Sequence, residues 1–139
     1  MKSKCAVFLI ACLVLSAPAL ASAERAATPS WIAGWVERAL FTTAVERREP
    51  VDDVVTVSGV DRLYFFTELR EMAGHTAIHR WEYSGRVMAE VEFEVGGPRW
   101  RVWSSKRIGP ESPGPWRVSV VNLAGDLLAQ EYFYQLGGD

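Results

Sequence analysis

Between residues 86 and 95 apolar and polar side chains alternate. Val87, Ala89, Val91, Phe93 and Val95 are interleaved with Met88, Glu90, Glu92 and Glu94. A period of two belongs to an extended strand with one face on a core and the other, here acidic, in water. Weaker patterns of the same period recur over 38–45, 62–69, 75–82, 99–106, 116–123 and 127–135. Turn residues separate them, among them Arg48-Glu49-Pro50, Ser84-Gly85, Gly96-Gly97-Pro98 and Ala124-Gly125-Asp126. The stretch 51–61 reads as a further short strand or a crossover. About seven strands at this spacing predict an all-β, antiparallel two-sheet sandwich of the immunoglobulin kind over 38–136. At 49% hydrophobic and 23% charged the composition is that of an ordinary globular chain.

Two hairpins can be read in register. A turn at residues 95–98 would set Glu94 opposite Arg99, Glu92 opposite Arg101 and Phe93 opposite Trp100. Charge then meets opposite charge across the strands, and apolar meets apolar. A turn at Tyr83-Ser84-Gly85 would place Trp81 beside Val87 on the core face.

The N-terminus reads as an export signal. Lys2 and Lys4 precede an apolar run over 5–15, Pro18 breaks it, and Ala21-Ser22-Ala23 has the small-x-small cleavage pattern. The expected division is a signal over 1–23, a leader over 24–37 and the sandwich after it. In the leader, Ser30 would cap one helical turn carrying Trp31 and Trp35 on one face. Leu9-Ile10-Ala11-Cys12 has the shape of a lipoprotein box, and anchoring through Cys12 is the alternative. A periplasmic or secreted location is expected. Beyond residue 23 no apolar run approaches the ~20 residues of a membrane span. Both cysteines, Cys5 and Cys12, lie in the signal, so the sandwich is expected to form no disulfide and no thiolate site. The remaining 116 residues carry 13 basic and 17 acidic side chains, which argues against non-specific nucleic-acid binding.

Several runs of unusual residues resemble an uncharacterised bacterial family, domain of unknown function 2914. They include Ala39-Leu40-Phe41-Thr42-Thr43, Leu63-Tyr64-Phe65-Phe66-Thr67-Glu68-Leu69 and His79-Arg80-Trp81-Glu82-Tyr83. The densest is Gly96-Gly97-Pro98-Arg99-Trp100-Arg101-Val102-Trp103-Ser104-Ser105-Lys106. The resemblance implies an envelope protein and carries no catalytic or ligand role.

The residues themselves offer little chemistry. His75 and His79 on a strand would stand about 13 Å apart, too far to share one metal ion. Ser104 and Ser105 lack a nucleophile elbow. Glu90, Glu92 and Glu94 have the ~6.5–9.5 Å spacing of an inverting glycosidase pair, but arginines opposite would keep them ionised, where a general acid needs a raised pKa. No enzyme and no cofactor are expected. Trp81, Trp100 and Trp116 are in phase with the core. Trp103 falls on the other face with Arg99, Arg101 and Ser105, where a guanidinium can stack on it. The candidate surface is Arg99, Arg101, Trp103 and Lys106 with Glu90, Glu92 and Glu94. The leading expectation is a protein-interaction module of the envelope. The alternative is a carbohydrate-binding module with exposed aromatic platforms.

Overall fold

The computed structural model of the chain describes residues 34–138. The signal segment with Cys5 and Cys12, and Ser30 and Trp31 of the leader, lie outside the described residues.

Seven long strands form, five close to the expected bounds, with the first starting three residues and the sixth two residues earlier than expected: β1 (Trp35–Thr42), β5 (Arg62–Arg70), β6 (Thr76–Tyr83), β7 (Arg86–Glu94), β8 (Arg99–Arg107), β9 (Gly114–Val121) and β10 (Leu127–Gln135). Three two-residue strands lie between β1 and β5: β2 (Val45–Glu46), β3 (Glu49–Pro50) and β4 (Thr56–Val57). The chain makes a three-stranded sheet in the order β1-β5-β8 and a five-stranded sheet in the order β4-β10-β9-β6-β7. Among the described residues all long strands pair antiparallel, and only β4 runs parallel to its neighbour. This is the antiparallel sandwich expected. Its fourth long strand sits beside the third, whereas the constant-type immunoglobulin sandwich pairs the fourth with the fifth.

Each sheet turns one set of alternating side chains inward. Phe41 and Phe65 from one sheet meet Trp81 and Phe133 from the other, with Phe41 centred 5.0 Å from Phe65 and 4.8 Å from Phe133. Tilted and edge-on pairs of this kind add about 0.5–1.5 kcal/mol each beyond the area they bury. A polar cluster of His79, Thr67 and Ser104 is also buried between the sheets. His79 on β6 is fully buried; its Nε2 lies 3.0 Å from Thr67 Oγ1 and its Nδ1 2.8 Å from Ser104 Oγ. Trp81 Nε1 donates to the same Ser104 hydroxyl. Thr67 and Ser104 belong to the opposite sheet, so these bonds tie the two layers together. His75, by contrast, is exposed just ahead of β6.

Three local expectations are corrected. The 95–98 segment is no hairpin turn. It carries the chain from β7 in one sheet to β8 in the other, so Glu94, Glu92 and Phe93 pair with Thr76, Ile78 and Ala77 of β6, and Arg99, Arg101 and Trp100 with Arg70, Glu68 and Leu69 of β5. Val95 anchors the crossing: it is buried, donates to His75 O and accepts from Gly74 N. The β6–β7 hairpin does form, on the two-residue turn Ser84-Gly85, but a bulge at Trp81/Glu82 places Ala89 opposite Trp81 and leaves Val87 half-exposed. Trp35 is not on a helical turn. It opens β1, opposite Arg70, and its ring is 52% exposed.

Candidate functional site

The outer face of the three-stranded sheet is built in rows. Across β1, β5 and β8 stand Leu40, Phe66 and Trp103; next, Arg38, Glu68 and Arg101; then Trp35, Arg70 and Arg99. The β2–β3 hairpin brings Arg48 and Glu49 onto this face. Glu68 lies at the centre with its side chain 2% exposed. Arg38 reaches it at 2.6 Å, Arg70 at 2.7 Å and Arg99 at 2.7 Å. The Arg99 and Arg38 guanidiniums hold its carboxyl at about 2 against the opposing effect of burial. Glu49 takes a forked contact from Arg38 at 3.0 Å and a second bond from Arg101. Its carboxyl is also held below the ordinary range, first by Arg38. Five guanidiniums (Arg38, Arg48, Arg70, Arg99 and Arg101) thus surround two carboxylates, a surplus of three positive charges.

Aromatic rings extend the same face. Trp103 lies nearly parallel to Phe66, with centroids 6.4 Å apart. Arg38 sits over the other ring of that pair, 5.1 Å from the centre of Phe66. Arg48 stands 6.0 Å from both Trp100 and Trp103, and its Nη2 donates to Arg101 O at 3.3 Å. Arg47 and Arg48 adopt left-handed φ values of 50° and 65°, which makes the two-residue turn between β2 and β3 and aims Arg48 at β8.

The structure brings together part of the surface expected from sequence. Arg99, Arg101 and Trp103 share this face, and the stacked guanidinium on Trp103 comes from Arg48. Lys106 falls in the opposite phase of β8, with Trp100, Val102 and Ser104, and is corrected out of the face. Glu90, Glu92 and Glu94 are corrected too: they lie on the outer side of the other sheet. Glu90 pairs with Arg80 at 2.6 Å. Glu92 and Glu94 are exposed and have no ion pair among the described residues. Glu68 and Glu49, the real partners of the arginines, were not singled out. Glu68 carried a signal in the sequence, a lone acid within an otherwise apolar strand and next but one to Arg70.

A second region lies on the outer face of the five-stranded sheet. Tyr132 and Tyr134 are 54% and 49% exposed, two residues apart on β10. Beside them Arg117 makes a two-pronged bond to Glu82, at 2.9 and 2.8 Å. Tyr132, Arg117, Glu82 and Trp116 border a shallow hollow of about 240 Å³. Among the described residues no group of three or more His, Cys, Asp or Glu is placed to hold a metal ion, and no helix is long and apolar enough to cross a membrane.

The fold and this face define an all-β sandwich domain with an arginine-rich, aromatic outer sheet. Residues 75–134, from the turn before β6 through most of β10, match the family described as "Protein of unknown function (DUF2914)". Over that stretch the chain is similar to this family, the one its sequence resembles. No curated protein matches the chain. Among solved structures, an alkylpurine DNA glycosylase, AlkC of Pseudomonas fluorescens bound to DNA containing an abasic site analogue, aligns at 14% identity with a TM-score of 0.49. The alignment covers 75% of this chain and 30% of that one, and a likeness of this size carries no inference.

Proposed function

We propose that the domain is a non-catalytic binding module of the bacterial envelope, and that the outer face of β1, β5 and β8 docks an acidic segment of another protein. The observation that carries this reading is the surplus of guanidiniums around Trp103. Two buried or bridging carboxylates order the arginines without neutralising them, and arginine with tryptophan is the pairing enriched where proteins bind one another. The export signal read in the sequence supports an envelope location. A photo-crosslinking residue at position 103 should give a discrete adduct in cells, lost when Arg101 is also changed to Ala. The same residue at exposed Leu123 should give none. Equal adducts at both positions would refute the assignment.

A second reading has its own observation. Half-exposed Tyr132 and Tyr134, beside the Arg117–Glu82 pair, offer ring platforms and polar groups of the kind a sugar needs. Co-sedimentation with purified cell-wall sacculi, abolished by Tyr132→Ala and untouched by Trp103→Ala, would favour a glycan. Protein remaining in the supernatant would remove this reading.

A further inference from the structure

Among the described residues, the side of the sandwich where β7 and β8 lie next to each other ends both sheets on strands with no outer neighbour. In an antiparallel ladder alternate residues turn N–H and C=O toward the neighbour and away from it. Val95 N–H bonds to His75 O on the β6 side, so Glu94, Glu92 and Glu90 turn theirs to the open edge. Pro98 O accepts from Glu71 N and Ile108 N donates to Asp61 O. The even residues of β8 therefore face β5, and Arg99, Arg101 and Trp103 face the open edge. Arg48 confirms the phase, since it caps the Arg101 carbonyl from outside.

The two edges are complementary. One presents Glu92 and Glu94, which have no cationic partner among the described residues. The other presents Arg99 and Arg101 from a face with three guanidiniums to spare. A turn at 95–98 would have matched them within one chain, but the chain crosses between sheets there. We propose that a second copy of this chain supplies the match, with β7 of each protomer pairing antiparallel to β8 of the other.

The geometry closes. β7 and β8 run in opposite directions, joined by the four residues 95–98. A two-fold axis parallel to the strands carries the five-stranded layer of one copy level with the three-stranded layer of the other. It leaves positions along the strands unchanged, so Glu94 comes level with Arg99 of the second copy and Glu92 with Arg101. The same rotation points the outer face of β7 and the outer face of the second copy's β8 to one side. Charge register and hydrogen-bond phase thus agree without adjustment. Each sheet continues into its opposite number, and both open edges are covered, as an isologous dimer requires. The other side-by-side arrangement, with the axis perpendicular to the sheets, sets β7 on β7 and β8 on β8. It opposes glutamate to glutamate and arginine to arginine, which is unfavourable directly across strands. In the dimer Glu92 N–H replaces Arg48 on the Arg101 carbonyl, and Arg48 swings free. Phe93 and Trp100, half-buried along this side, become the seam between the two cores.

Sedimentation equilibrium on the purified protein tests this. The wild type should have twice the mass of one chain. Glu92→Arg and Arg101→Glu should each be monomeric, since each sets like charges together at both joints of its own dimer. Mixed in equal amounts they should form a heterodimer, because opposite charges then meet at both joints. Arg101→Glu also loses its bond to Glu49, so Glu92→Pro provides an independent variant. It removes only an edge-facing N–H, which a folded edge strand tolerates, and it should be monomeric with an unchanged circular dichroism spectrum. A wild type that stays monomeric to about 1 mM, a range in which even weak association is visible, would overturn the proposal. So would a dimer that survives both charge reversals, or a mixture that fails to associate.

Discussion

His79 Nδ1 lies 2.8 Å from the hydroxyl of Ser104, and that bond crosses from one sheet of the sandwich to the other. The imidazole is enclosed between Phe65 and Phe93, both edge-on to it. A neutral ring has one donor and one acceptor, and Thr67 and Ser104 serve both. Protonation would put a charge in the core with no carboxylate of the described residues beside it.

Burial accordingly lowers the His79 pKa to about 3, below its ordinary 6.5. The folded value is the depressed one, so this group's contribution is complete above pH 6.5 and is lost as pH falls toward 3. In that window stability should drop by about 1.4 kcal/mol per pH unit. Glu68, held at about 2 instead of 4.5, adds a loss of the same sign that begins only below 4.5. Urea unfolding at pH 7.5, 6.5 and 5.5 should show the decline starting near 6.5, and His79→Gln should move its onset to the carboxylate range. An unchanged midpoint between pH 7 and 5 in the wild type would contradict the assignment.

Ser104→Ala removes one hydroxyl and leaves two buried groups without partners, Trp81 Nε1–H and His79 Nδ1. Each orphan costs about 1–3 kcal/mol, so a loss near 3 kcal/mol is expected. Thr67→Val strands only His79 Nε2 and should cost less. Chemical denaturation of both variants gives the comparison, and equal losses would show that Ser104 does not serve both rings.

Glu68→Gln leaves three guanidiniums around a neutral amide. Removing one member of a fully buried ion pair costs about 3–5 kcal/mol. Here the arginines are a third to a half exposed and remain partly solvated, so about 2 kcal/mol is the expected loss. Thermal melts in low and high salt should show that part of the loss is recovered as salt screens the arginines. A loss independent of salt would point to packing as its cause.

The β6–β7 turn has φ of 49° at Ser84 and 73° at Gly85, the pair of left-handed residues that a two-residue hairpin turn demands. Asn tolerates that conformation better than Ser. Ser84→Asn should raise stability by about 0.5 kcal/mol, and Gly85→Ala should lower it by about 1–2 kcal/mol through clash of its Cβ with the backbone. Melting temperatures moving in the same direction for both would rule out this turn geometry.

The seven long strands were legible because burial on one face writes itself into every second residue. The partner of each strand was not. Arg99 and Arg101 satisfy Glu92 and Glu94 on paper as well as they satisfy Glu68 and Glu49 in space, and charge pattern alone does not rank the two. What decides is distributed. Gly96 packs against the Trp100 ring so closely that a Cβ there would come within 2.9 Å of it. Val95 is drawn under β6 by two backbone bonds. Neither contact shows in the Gly96-Gly97-Pro98 run, which has the composition of a hairpin loop. The bulge at Trp81/Glu82 likewise has no local mark, and it moved Val87 out of the core. Of the candidate face, Arg99, Arg101 and Trp103 followed from phase within one strand. Arg48 and Glu49 come from a hairpin fifty residues away and could be placed there only by the fold.

The crossing at 95–98 also orders events during synthesis. β5 can pair with β1 as soon as both have left the ribosome, but its other flank waits for β8. Between them lie residues 71–98, which first fold back on themselves as β6 and β7. Until Arg107 emerges, the strand carrying Phe65, Phe66 and Glu68 has one row of backbone groups bare, and the aromatic side of the first sheet has no lid. The three-stranded sheet is started by β1 and β5 and closed only by β8, and the five-stranded sheet is completed after it by β9 and β10. A chain stalled in its final third would expose an adhesive edge that the completed protein never shows.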